Sequence, residues 1–497
     1  MYLSGFQINE SSYLSKTVGP QARAQTSNMT STILYTHAII ITVNEKREIY
    51  QDGSILVTEN TIKDIGVSSK LLAKYPNVQV HDLSNHIIIP GLISTHMHCV
   101  QSLFRGTADD CDLITWMCDR IWVMQGNILP EEAYAGARLS IAEMLLGGTT
   151  TFLESLWAER YGFDQLVKAV EESGIRGCLG KVVMDVNPNQ PAFRNKMHKG
   201  LVEGGESLES AIKMWEQFDG AAEGRVKVWF GARTPGGVST AFLTRVCAEA
   251  KARDIHITMH CLEEEMDHEV FREFDMTPME YCDSIGLLSK NTVLIHMCWV
   301  GGDDISRLKR TETNIAHCPA SNMKLASGFC PVPQLLKEGV NVGIGCDGAP
   351  CNNMLDLFQE MRLAALIHKG NTRDPKVVSA EEVLEMGTIK GAKALGLDGK
   401  GGIGSLEIGK KADFVGIELK KAHQIPNYDP VATVVYATSA GDVDLVVIDG
   451  KVVVEKGILK TMDEAKVMEE GIIAGRAVIK RSGLEKNIVP KWPLIKE

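Results

Sequence analysis

Residues 87–101 read Ile-Ile-Ile-Pro-Gly-Leu-Ile-Ser-Thr-His-Met-His-Cys-Val-Gln, an apolar run that ends in two histidines one residue apart. The run has the length and composition of a buried β-strand. Side chains two residues apart in a strand lie on the same face, so His96 and His98 are expected to project together from its end. Two imidazoles on one face can bind one metal ion. Because a lone His-x-His pair also occurs by chance, this interpretation depends on further ligands elsewhere in the chain.

Strand-like runs alternate with helix-like stretches through the central part of the chain. This alternation is typical of a parallel α/β domain. The predicted strands end at His96 and His98, near Glu154, at Lys181 to Asp185, at Arg233, at His260, at His296, at His317 and at Asp347. Eight such strands predict a (β/α)8 TIM-like barrel over residues 89–403. The catalytic residues of this fold lie where the strands end.

Two β-rich segments flank the predicted barrel. Short alternating strands are predicted between residues 32 and 88, and Asp449-Gly450 between two apolar runs is typical of a hairpin turn. Neither segment is long enough to bury a core alone, so residues 32–88 and 404–460 are expected to form one small, discontinuous β-sandwich domain. Residues 1–31 are predicted to be a disordered extension, and residues 461–497 a C-terminal helix and tail.

The composition argues against several classes of function. The 497-residue chain has a net charge of −11, so a nucleic-acid or acidic-membrane surface is not expected. No apolar run approaches the ~18 residues that cross a bilayer, and the first 30 residues lack the pattern of a secretory signal. Twelve cysteines are too few for a disulfide scaffold at this length, which predicts reduced thiols and a cytoplasmic location.

Three further strand ends carry metal-binding residue types. His260, His296 and Asp347 each follow an apolar, strand-like run. Together with His96 and His98, these residues would bring several imidazoles and one carboxylate close together at the mouth of the barrel. A borderline ion such as Zn²⁺ accepts such ligands while it retains an open position for water. The sequence therefore predicts a metal centre in the mouth of the barrel.

The chain resembles the amidohydrolase superfamily, in its branch of mononuclear-metal deaminases and triazine hydrolases. The resemblance covers nearly everything from Ile33 onward. The motifs that carry it are Pro90-Gly-Leu-Ile-Ser-Thr-His-Met-His98, His260-Cys-Leu-Glu263, His317-Cys-Pro-Ala-Ser-Asn322 and Asp347-Gly-Ala-Pro-Cys-Asn-Asn353. The metal ligands that the resemblance implies are His96, His98, His260 and Asp347. It also implies that His296 hydrogen-bonds the attacking water or the reacting group.

The resemblance further implies one divalent metal ion per subunit, with zinc expected and iron as the alternative. The branch that bridges two metal ions uses a modified lysine at the end of the fourth strand. In this chain, Ala232-Arg233 occupies that position and no lysine is present. One metal ion is therefore the better expectation.

Glu263 is predicted to carry protons during catalysis, together with Asp347. Hydrolysis of a C–NH₂ bond on an aromatic ring needs an activated water, a proton on a ring nitrogen and a proton on the departing amine. A bound metal ion lowers the pKa of water to about 7, and the two carboxyl groups could move the protons. The residues alone leave an alternative open, in which Glu263 is a solvated carboxylate of the acidic run Glu263-Glu264-Glu265.

The ribose-binding residues of the nucleoside deaminases are changed in this chain. The segment Lys324-Leu-Ala-Ser-Gly resembles these enzymes, which grip ribose with a glutamate nine residues after the tryptophan of the first loop. Counting nine residues from Trp116 gives Gln125. The same enzymes have a histidine where this chain has Arg233. Both differences weaken the prediction of a ribose-bearing substrate.

Other substrate-binding candidates point to a heterocyclic ring. Gln101 is similar to the glutamine with which guanine deaminases and triazine hydrolases read a ring edge, because an amide both donates and accepts. The loop from Asp347 to Cys351 is closer to the triazine and nucleoside enzymes. Cys351 is therefore included among the predicted substrate-binding residues, although Gln101 could instead be a polar residue at a helix start.

These observations predict a metal-dependent hydrolytic deaminase that releases ammonia from an aminated N-heterocycle such as a purine base, pterin or triazine. The alternatives are a deaminase of adenosine-type nucleosides, such as S-adenosylhomocysteine or methylthioadenosine, and an enzyme that dechlorinates a triazine hydrolytically. A non-catalytic scaffold is disfavoured by the intact ligand set. The expected partners are a small heterocyclic substrate, water and further copies of the chain in a homo-oligomer, with a homodimer preferred.

Overall fold

The structure is a computed structural model that describes residues 32–185, 197–202, 207–234, 237–272, 274–488 and 492–493. The predicted extension at residues 1–31 lies outside these ranges. The strands are β1 (Thr32–Ile41), β2 (Ile49–Thr58), β3 (Thr61–Val67), β4 (Gln79–Asp82), β5 (His86–Pro90), β6 (Leu92–Met97), β7 (Thr149–Trp157), β8 (Arg176–Val183), β9 (Val226–Ala232), β10 (Ile257–Cys261), β11 (Thr292–His296), β12 (Asn314–His317), β13 (Val342–Ile344), β14 (Phe414–Glu418), β15 (Val443–Ile448), β16 (Lys451–Glu455) and β17 (Ile458–Leu459).

Strands β6 to β13 form the predicted barrel. They lie in sequence order in one eight-stranded sheet, and each pairs in parallel with the next. A parallel bridge between Met97 and Asp347 brings the first strand to the end of the last, which nearly closes the sheet. Every predicted strand end lies within a few residues of an observed one, so the barrel prediction is confirmed.

The barrel strands are apolar because helices cover them. Strands β6, β10 and β11 are buried along their whole length, as parallel strands under helices are. The α-helices are Ser68–Lys74, Leu113–Trp116, Trp122–Gln125, Pro130–Leu146, Phe163–Ser173, Lys199–Val202, Leu208–Phe218, Ala221–Gly224, Thr240–Arg253, His268–Arg272, Pro278–Ser284, Gly302–Thr311, Pro319–Lys324, Val332–Glu338, Ala349–Asn352, Leu357–Thr372, Ala380–Met386, Ile389–Ala394, Pro430–Tyr436 and Glu464–Arg481. A π-helical turn spans Met117–Ile121, and short 3₁₀ helices span Cys99–Phe104, Glu159–Tyr161, Glu265–Asp267, Ala422–Gln424 and Ala440–Asp442.

The other nine strands form a second, mixed sheet. Its order is β17-β16-β15-β14-β5-β1-β2-β3, and β4 pairs with β1. Strand β14 pairs antiparallel with β5, which places Gly416 opposite Ile88 and joins the two ends of the chain in one sheet. The predicted hairpin turn lies between β15 and β16, where Asp449 and Gly450 both have positive φ. The prediction that both ends of the chain build one β structure is therefore confirmed.

The connection from β5 in the second sheet to β6 in the barrel requires a glycine. Gly91 separates β5 from β6, and a Cβ at this position would lie 2.1 Å from Thr150 Oγ1. The chain can therefore leave one sheet and enter the other only without a side chain here. Residues 32–497 cluster as one compact unit, so the domain boundaries proposed at residues 88 and 404 remain a prediction.

A buried ion network connects the barrel to the second sheet. Arg176, the first residue of β8, donates from Nε and Nη2 to the carboxylate of Asp413 at 2.6 and 2.9 Å. Its Nη2 also donates to Asp449 Oδ1 at 3.0 Å, and Lys411 lies 3.0 Å from the same oxygen. One guanidinium therefore joins a barrel strand to two carboxylates that flank the second sheet.

The cysteines of the described chain are free thiols, as predicted. Eleven of the twelve are buried and Cys111 is half-buried. Of the helices that the structure describes, none combines the length and the apolar character that crossing a bilayer requires.

Candidate active site

The two histidines of the opening motif lie together at the mouth of the barrel. His96 is fully buried near the end of β6, and His98 follows that strand directly. Their ring centroids are 4.8 Å apart. His98 also lies near β7, because its Nδ1 is 3.8 Å from Glu154 Oε1. Glu154 is held in turn, since its carboxylate accepts from the backbone amides of Cys99 and Leu156 at 2.6 and 3.1 Å.

Asp347 reaches the two histidines from the opposite end of the sheet. Its Oδ1 lies 3.1 Å from His96 Nε2 and 3.6 Å from His98 Nε2. Its backbone amide donates to the His96 carbonyl at 3.1 Å, which fixes the turn after β13 against β6. The hydroxyl of Ser321 donates to Asp347 Oδ2 at 2.6 Å. The carboxylate is therefore oriented by contacts at both oxygens.

His260 and His296 complete the cluster from the paired strands β10 and β11. His260 Nε2 lies 3.3 Å from His98 Nε2. The Nδ1 of His296 donates to Asn322 Oδ1 at 2.9 Å, which leaves its Nε2 lone pair directed at the site. That Nε2 lies 4.0 Å from Asp347 Oδ2 and 3.6 Å from Glu263 Oε2. The structure thus brings all five predicted metal-centre residues and Glu263 together.

The backbone at the site adopts conformations that side-chain-bearing residues rarely use. Leu262, His296, Met297 and Asp347 all have positive φ, between 49° and 72°. Such left-handed residues cost of order 1–2 kcal/mol each and persist only where the surroundings enforce them. Their concentration at the ends of β10, β11 and β13 indicates that the fold holds these residues in place for function.

Burial sets the charge of these groups. Loss of solvation lowers the pKa of His96 to about 4 and holds that of His260 well below its ordinary value, so both imidazoles are neutral near pH 7. Burial opposes ionisation of Asp347, but the neighbouring imidazoles, His96 first, hold its pKa well below the usual range. Burial and the charge of Asp347 raise the pKa of Glu263 well above its ordinary value. Near pH 7 His96 and His260 are therefore neutral and Asp347 is ionised, and Glu263 keeps its proton to a higher pH than an ordinary glutamate does.

The donor set fits a divalent metal ion. Ligands 2.0–2.1 Å from a tetrahedral ion lie about 3.3 Å from one another. Three of the six separations among His96, His98, His260 and Asp347 are 3.1 Å for His96 and Asp347, 3.3 Å for His98 and His260, and 3.6 Å for His98 and Asp347. Neutral imidazoles and an ionised carboxylate are the forms that bind metals. Two buried groups of potential ligands lie at the mouth of the barrel. One consists of His96, His260 and His296, and the other of His96, His98 and Asp347.

A pocket opens beside this cluster, and four of the five predicted substrate-binding residues line it. They are Gln101, Trp116, Gln125 and Arg233. Gln101 Oε1 and Trp116 Nε1 are buried and have no hydrogen-bond partner among the described residues. The fifth residue, Cys351, is fully buried, its thiol contacts the Gly348 carbonyl at 3.0 Å, and it lies outside the pocket lining. Its role in substrate binding remains a prediction.

The side chain of Gln101 requires a glycine on the opposite strand end. A Cβ at Gly348 would lie 1.7 Å from Gln101 Oε1. Any larger residue after Asp347 would therefore displace this amide from the pocket wall. The position of the Gln101 amide therefore depends on the absence of a side chain at Gly348.

A π-helical turn shapes the pocket wall that carries Trp116 and Gln125. In a regular α-helix, residues nine apart are two and a half turns apart and face opposite sides. Here the helix Leu113–Trp116 continues through the π-helical turn Met117–Ile121 into Trp122–Gln125. The wider turn reduces the angle between the two side chains, so both line the same pocket. Propensity and periodicity did not indicate this turn.

Most of the remaining pocket wall is apolar, and the sequence reasoning did not find it. The apolar lining residues that the sequence did not indicate are Leu113, Met117, Ile121, Trp122, Leu156, Ala158, Val182, Met184, Met197, Leu201 and Leu325. They come from five separate segments of the chain, in strands and helices as well as loops, and no local pattern marks them as neighbours. Arg233 lies among them with its guanidinium 5.0 Å from the centre of the Trp122 ring. The pocket therefore combines an apolar wall with the polar side chains of the metal centre and of Gln101, Gln125 and Arg233.

Comparison with known proteins decides the family. The amidohydrolase family profile matches residues 87–453, which includes all the metal-centre candidates. The chain belongs to the amidohydrolase family. This membership explains why the four motifs of the sequence occur at the ends of the first, fifth, seventh and eighth barrel strands.

Similar proteins in this family are named as deaminases. The chain is 35% identical over 452 residues to a 5'-deoxyadenosine deaminase of Methanosarcina acetivorans, which covers 90% of this chain and 99% of that protein. It is 34% identical over 449 residues to a 5-methylthioadenosine/S-adenosylhomocysteine deaminase of Syntrophomonas wolfei, with the same coverage. Membership of the amidohydrolase family, with such relatives, makes the chain a metal-dependent hydrolase that acts on carbon–nitrogen bonds by deamination.

Solved structures share the fold. An adenosine deaminase from Xanthomonas campestris with bound zinc has a TM-score of 0.83 at 27% identity and covers 90% of this chain and 98% of that one. An atrazine chlorohydrolase from Arthrobacter aurescens complexed with zinc has a TM-score of 0.81 at 23% identity, over 89% of this chain and 100% of its own. The second similarity supports the fold alone.

Proposed function

We propose that this protein is a zinc-dependent aminohydrolase that removes the ring amine of an adenosine-type nucleoside with a small, apolar 5' group. The observation that carries the proposal is the similarity, over about nine-tenths of the chain, to relatives named for 5'-deoxyadenosine and 5-methylthioadenosine/S-adenosylhomocysteine. The sequence kept this substrate class as its alternative to a free heterocycle. The relatives and the apolar pocket wall favour a nucleoside substrate over a free heterocycle.

In this proposal His96, His98, His260 and Asp347 hold one zinc ion. Three of the separations among them, 3.1 to 3.6 Å, are close to the spacing of tetrahedral ligands, and the similar adenosine deaminase was solved with zinc bound. When bound, the ion supplies a water whose pKa is lowered to about 7. Glu154 orients His98, since a carboxylate behind a metal-binding imidazole favours the tautomer that binds the metal.

The protons move through two carboxyl groups. Asp347, kept ionised by its imidazole neighbours, accepts a proton from the attacking water. Glu263, whose burial favours its protonated form, donates its proton to the ring nitrogen next to the reacting carbon. As the carbon–nitrogen bond breaks, Asp347 passes its proton to the departing amine and the ionised Glu263 takes the remaining proton of the added hydroxyl, which restores both carboxyl groups. His296 keeps its Nε2 directed at the same space because Asn322 binds its Nδ1. It positions the water by accepting a hydrogen bond.

Gln101 is proposed to read the adenine ring. A glutamine amide can accept from an adenine amine and donate to the neighbouring ring nitrogen at once. Its Oε1 is buried beside the metal-binding residues without a partner among the described residues, so a bound ring would satisfy it. The indole N–H of Trp116, which also lines the pocket, is likewise buried without a hydrogen-bond partner among the described residues.

A free aminated heterocycle is the second candidate substrate, and Gln125 is the observation that favours it. Related nucleoside enzymes carry a carboxylate at this position for the ribose hydroxyls, and a neutral amide binds them without charge assistance. Gln125 carries no charge to strengthen hydrogen bonds with ribose hydroxyls, but its amide can still donate and accept hydrogen bonds. The cytoplasmic location and the homo-oligomeric state also remain predictions.

The test is ammonia release from a substrate panel at equal zinc loading. The nucleosides are 5'-deoxyadenosine, 5'-methylthioadenosine, S-adenosylhomocysteine and adenosine, and the free heterocycles are guanine, 8-oxoguanine, a pterin and an aminotriazine. We expect 5'-deoxyadenosine and methylthioadenosine to lead in kcat/KM by at least about tenfold, which corresponds to one well-formed polar contact. A free heterocycle in the lead would support the second candidate. Chloride release from atrazine, assayed in parallel, that is faster than ammonia release from every panel compound would contradict both.

A further inference from the structure

The short helix Pro319–Lys324 contacts three separate parts of the site. It follows barrel strand β12. Ser321 donates to the carboxylate of Asp347, and Asn322 accepts from the ring of His296. Its last residue, Lys324, points to neither of these groups and contacts the loops around the mouth instead. The helix therefore connects the metal-binding residues with the rim of the pocket.

The ammonium group of Lys324 has three acceptors on two loops. It donates to Asp109 Oδ1 at 2.5 Å, to Asn353 Oδ1 at 2.5 Å and to the Pro350 carbonyl at 2.8 Å. Asn353 Nδ2 also lies 3.4 Å from Asp109 Oδ1. An ammonium group has three N–H donors, so this arrangement satisfies all of them. The Lys324 side chain is 23% exposed and that of Asp109 39%, which places the contact at the rim.

Asp109 belongs to the segment that closes one side of the pocket. Four residues after it, the helical stretch from Leu113 to Gln125 begins, and this stretch carries the wall residues Trp116 and Gln125. At its other end, Arg160 donates to the carbonyls of Gly126 and Ile128. The segment is therefore fastened on both sides of the pocket wall, by Lys324 before it and by Arg160 after it.

We propose that Lys324 is a positioning residue that holds the segment 107–125 over the substrate, in register with the loop that carries Asp347. The loop of Pro350 and Asn353 begins at that metal-binding residue, so one ammonium joins the substrate-binding wall to the metal centre. Loss of this contact raises the cost of ordering Trp116 and Gln125 around the substrate. It leaves the metal-binding side chains and Glu263 unchanged. The effect therefore falls on KM rather than on kcat.

The first measurement is hydrogen–deuterium exchange on the zinc-loaded protein. We expect Lys324→Met and Asp109→Asn each to accelerate exchange in peptides that cover residues 107–125, with zinc content unchanged. Lys309→Met is the matched control, because Lys309 Nζ also bonds a loop carbonyl, that of Gly339 at 3.1 Å, away from the pocket. Unaltered exchange in 107–125 for both variants, or faster exchange throughout the barrel, would overturn the proposal.

The second measurement rests on the proposed function and uses 5'-deoxyadenosine. We expect Lys324→Met to raise KM about tenfold, the effect of losing a hydrogen bond between charged groups, while kcat changes by less than about threefold. Asp109→Asn is expected to add little in the Lys324→Met background, since both changes break the same contact. A kcat loss without a KM change would contradict the positioning role. The exchange experiment uses no substrate, so it tests the positioning role of Lys324 independently of the proposed function.

Discussion

At the scale of single residues, three side chains of the site each lie against a second polar group. Ser321 orients Asp347, Asn322 orients His296, and Glu154 lies behind His98. These supporting contacts join residues 26 or more positions apart along the chain. Preorganised groups lose little entropy when substrate binds, which is the advantage of such support in a catalytic site.

Glu263→Gln tests the proton-transfer role most directly. The amide keeps the size of the side chain but cannot exchange a proton, so kcat should fall roughly 10²- to 10⁴-fold. Zinc content should stay unchanged, because Glu263 is not among the proposed ligands. Kinetics and metal analysis on the same preparation check both statements.

Glu265→Gln is the matched control for that variant. Glu265 belongs to the same acidic run, but it is exposed, whereas the Glu263 side chain is only 12% exposed and lies 3.6 Å from His296. The control should retain the activity of the unmodified protein. Equal activity of the two variants would show that Glu263 is an ordinary surface carboxylate.

At the scale of elements, the sequence predicted where the barrel strands end but not how the chain turns after them. Apolar runs and the residues that follow them are local features, so β6, β10, β11 and the Asp347 turn could be located in advance. The positive φ angles of Leu262, His296 and Met297 could not, because positive φ is uncommon for any residue other than glycine and neither Leu nor Met favours it. The neighbouring strands impose it.

The π-helical turn Met117–Ile121 was unpredictable for the same reason. Its sequence Met-Cys-Asp-Arg-Ile has no signal that distinguishes it from an α-helix. Sequence comparison nevertheless located Trp116 and Gln125 in the pocket, because it used spacing within a family rather than helical geometry. The apolar wall, which depends on segments far apart in sequence, was missed.

Gln125→Glu tests what this helical stretch does. A carboxylate at the same place can accept charge-assisted hydrogen bonds from ribose hydroxyls, so kcat/KM for 5'-deoxyadenosine should rise about tenfold. Free adenine lacks ribose and serves as the control substrate, for which no gain is expected. Steady-state kinetics with both compounds measure the ratio. An equal change for both would show that Gln125 does not face ribose.

At the scale of the whole molecule, the barrel and the second sheet are joined by buried charge. Arg176, with a side chain 9% exposed, neutralises Asp413 and Asp449 at this junction. The sequence predicted a β structure from both ends of the chain, but it could not predict this contact, since the three residues lie more than 200 positions apart or on separate loops. Such networks are visible only after folding.

Arg176→Met should destabilise the protein by about 3–5 kcal/mol, because it leaves buried carboxylates without their cation. The free energy of unfolding, from urea denaturation followed by circular dichroism, measures the loss. Arg245→Met is the control, since the ion pair of Arg245 with Glu209 is exposed on both sides and such pairs contribute ~1 kcal/mol at most. A similar, small loss in both variants would show that the junction does not depend on Arg176.

The same network predicts a dependence of stability on pH. Burial opposes ionisation of Asp449, but Arg176 and Lys411 outweigh it and lower its pKa in the folded protein. Its stabilising contribution is therefore fully present above the unfolded pKa of about 3.9 and is lost as the pH falls through the lower folded value. Unfolding free energies measured across this acidic range should fall less steeply with decreasing pH in Arg176→Met than in the unmodified protein.

The central claim is that this amidohydrolase replaces a ring amine by an oxygen atom from water at its metal centre. The most direct measurement follows 5'-deoxyadenosine in ¹⁸O-labelled water by mass spectrometry, with ammonia quantified in parallel, before and after removal of the metal. We predict one labelled oxygen in the nucleoside product for each ammonia released, loss of the reaction after chelation and recovery on addition of zinc. Unlabelled product, or full activity in protein shown to be free of metal, would contradict the account.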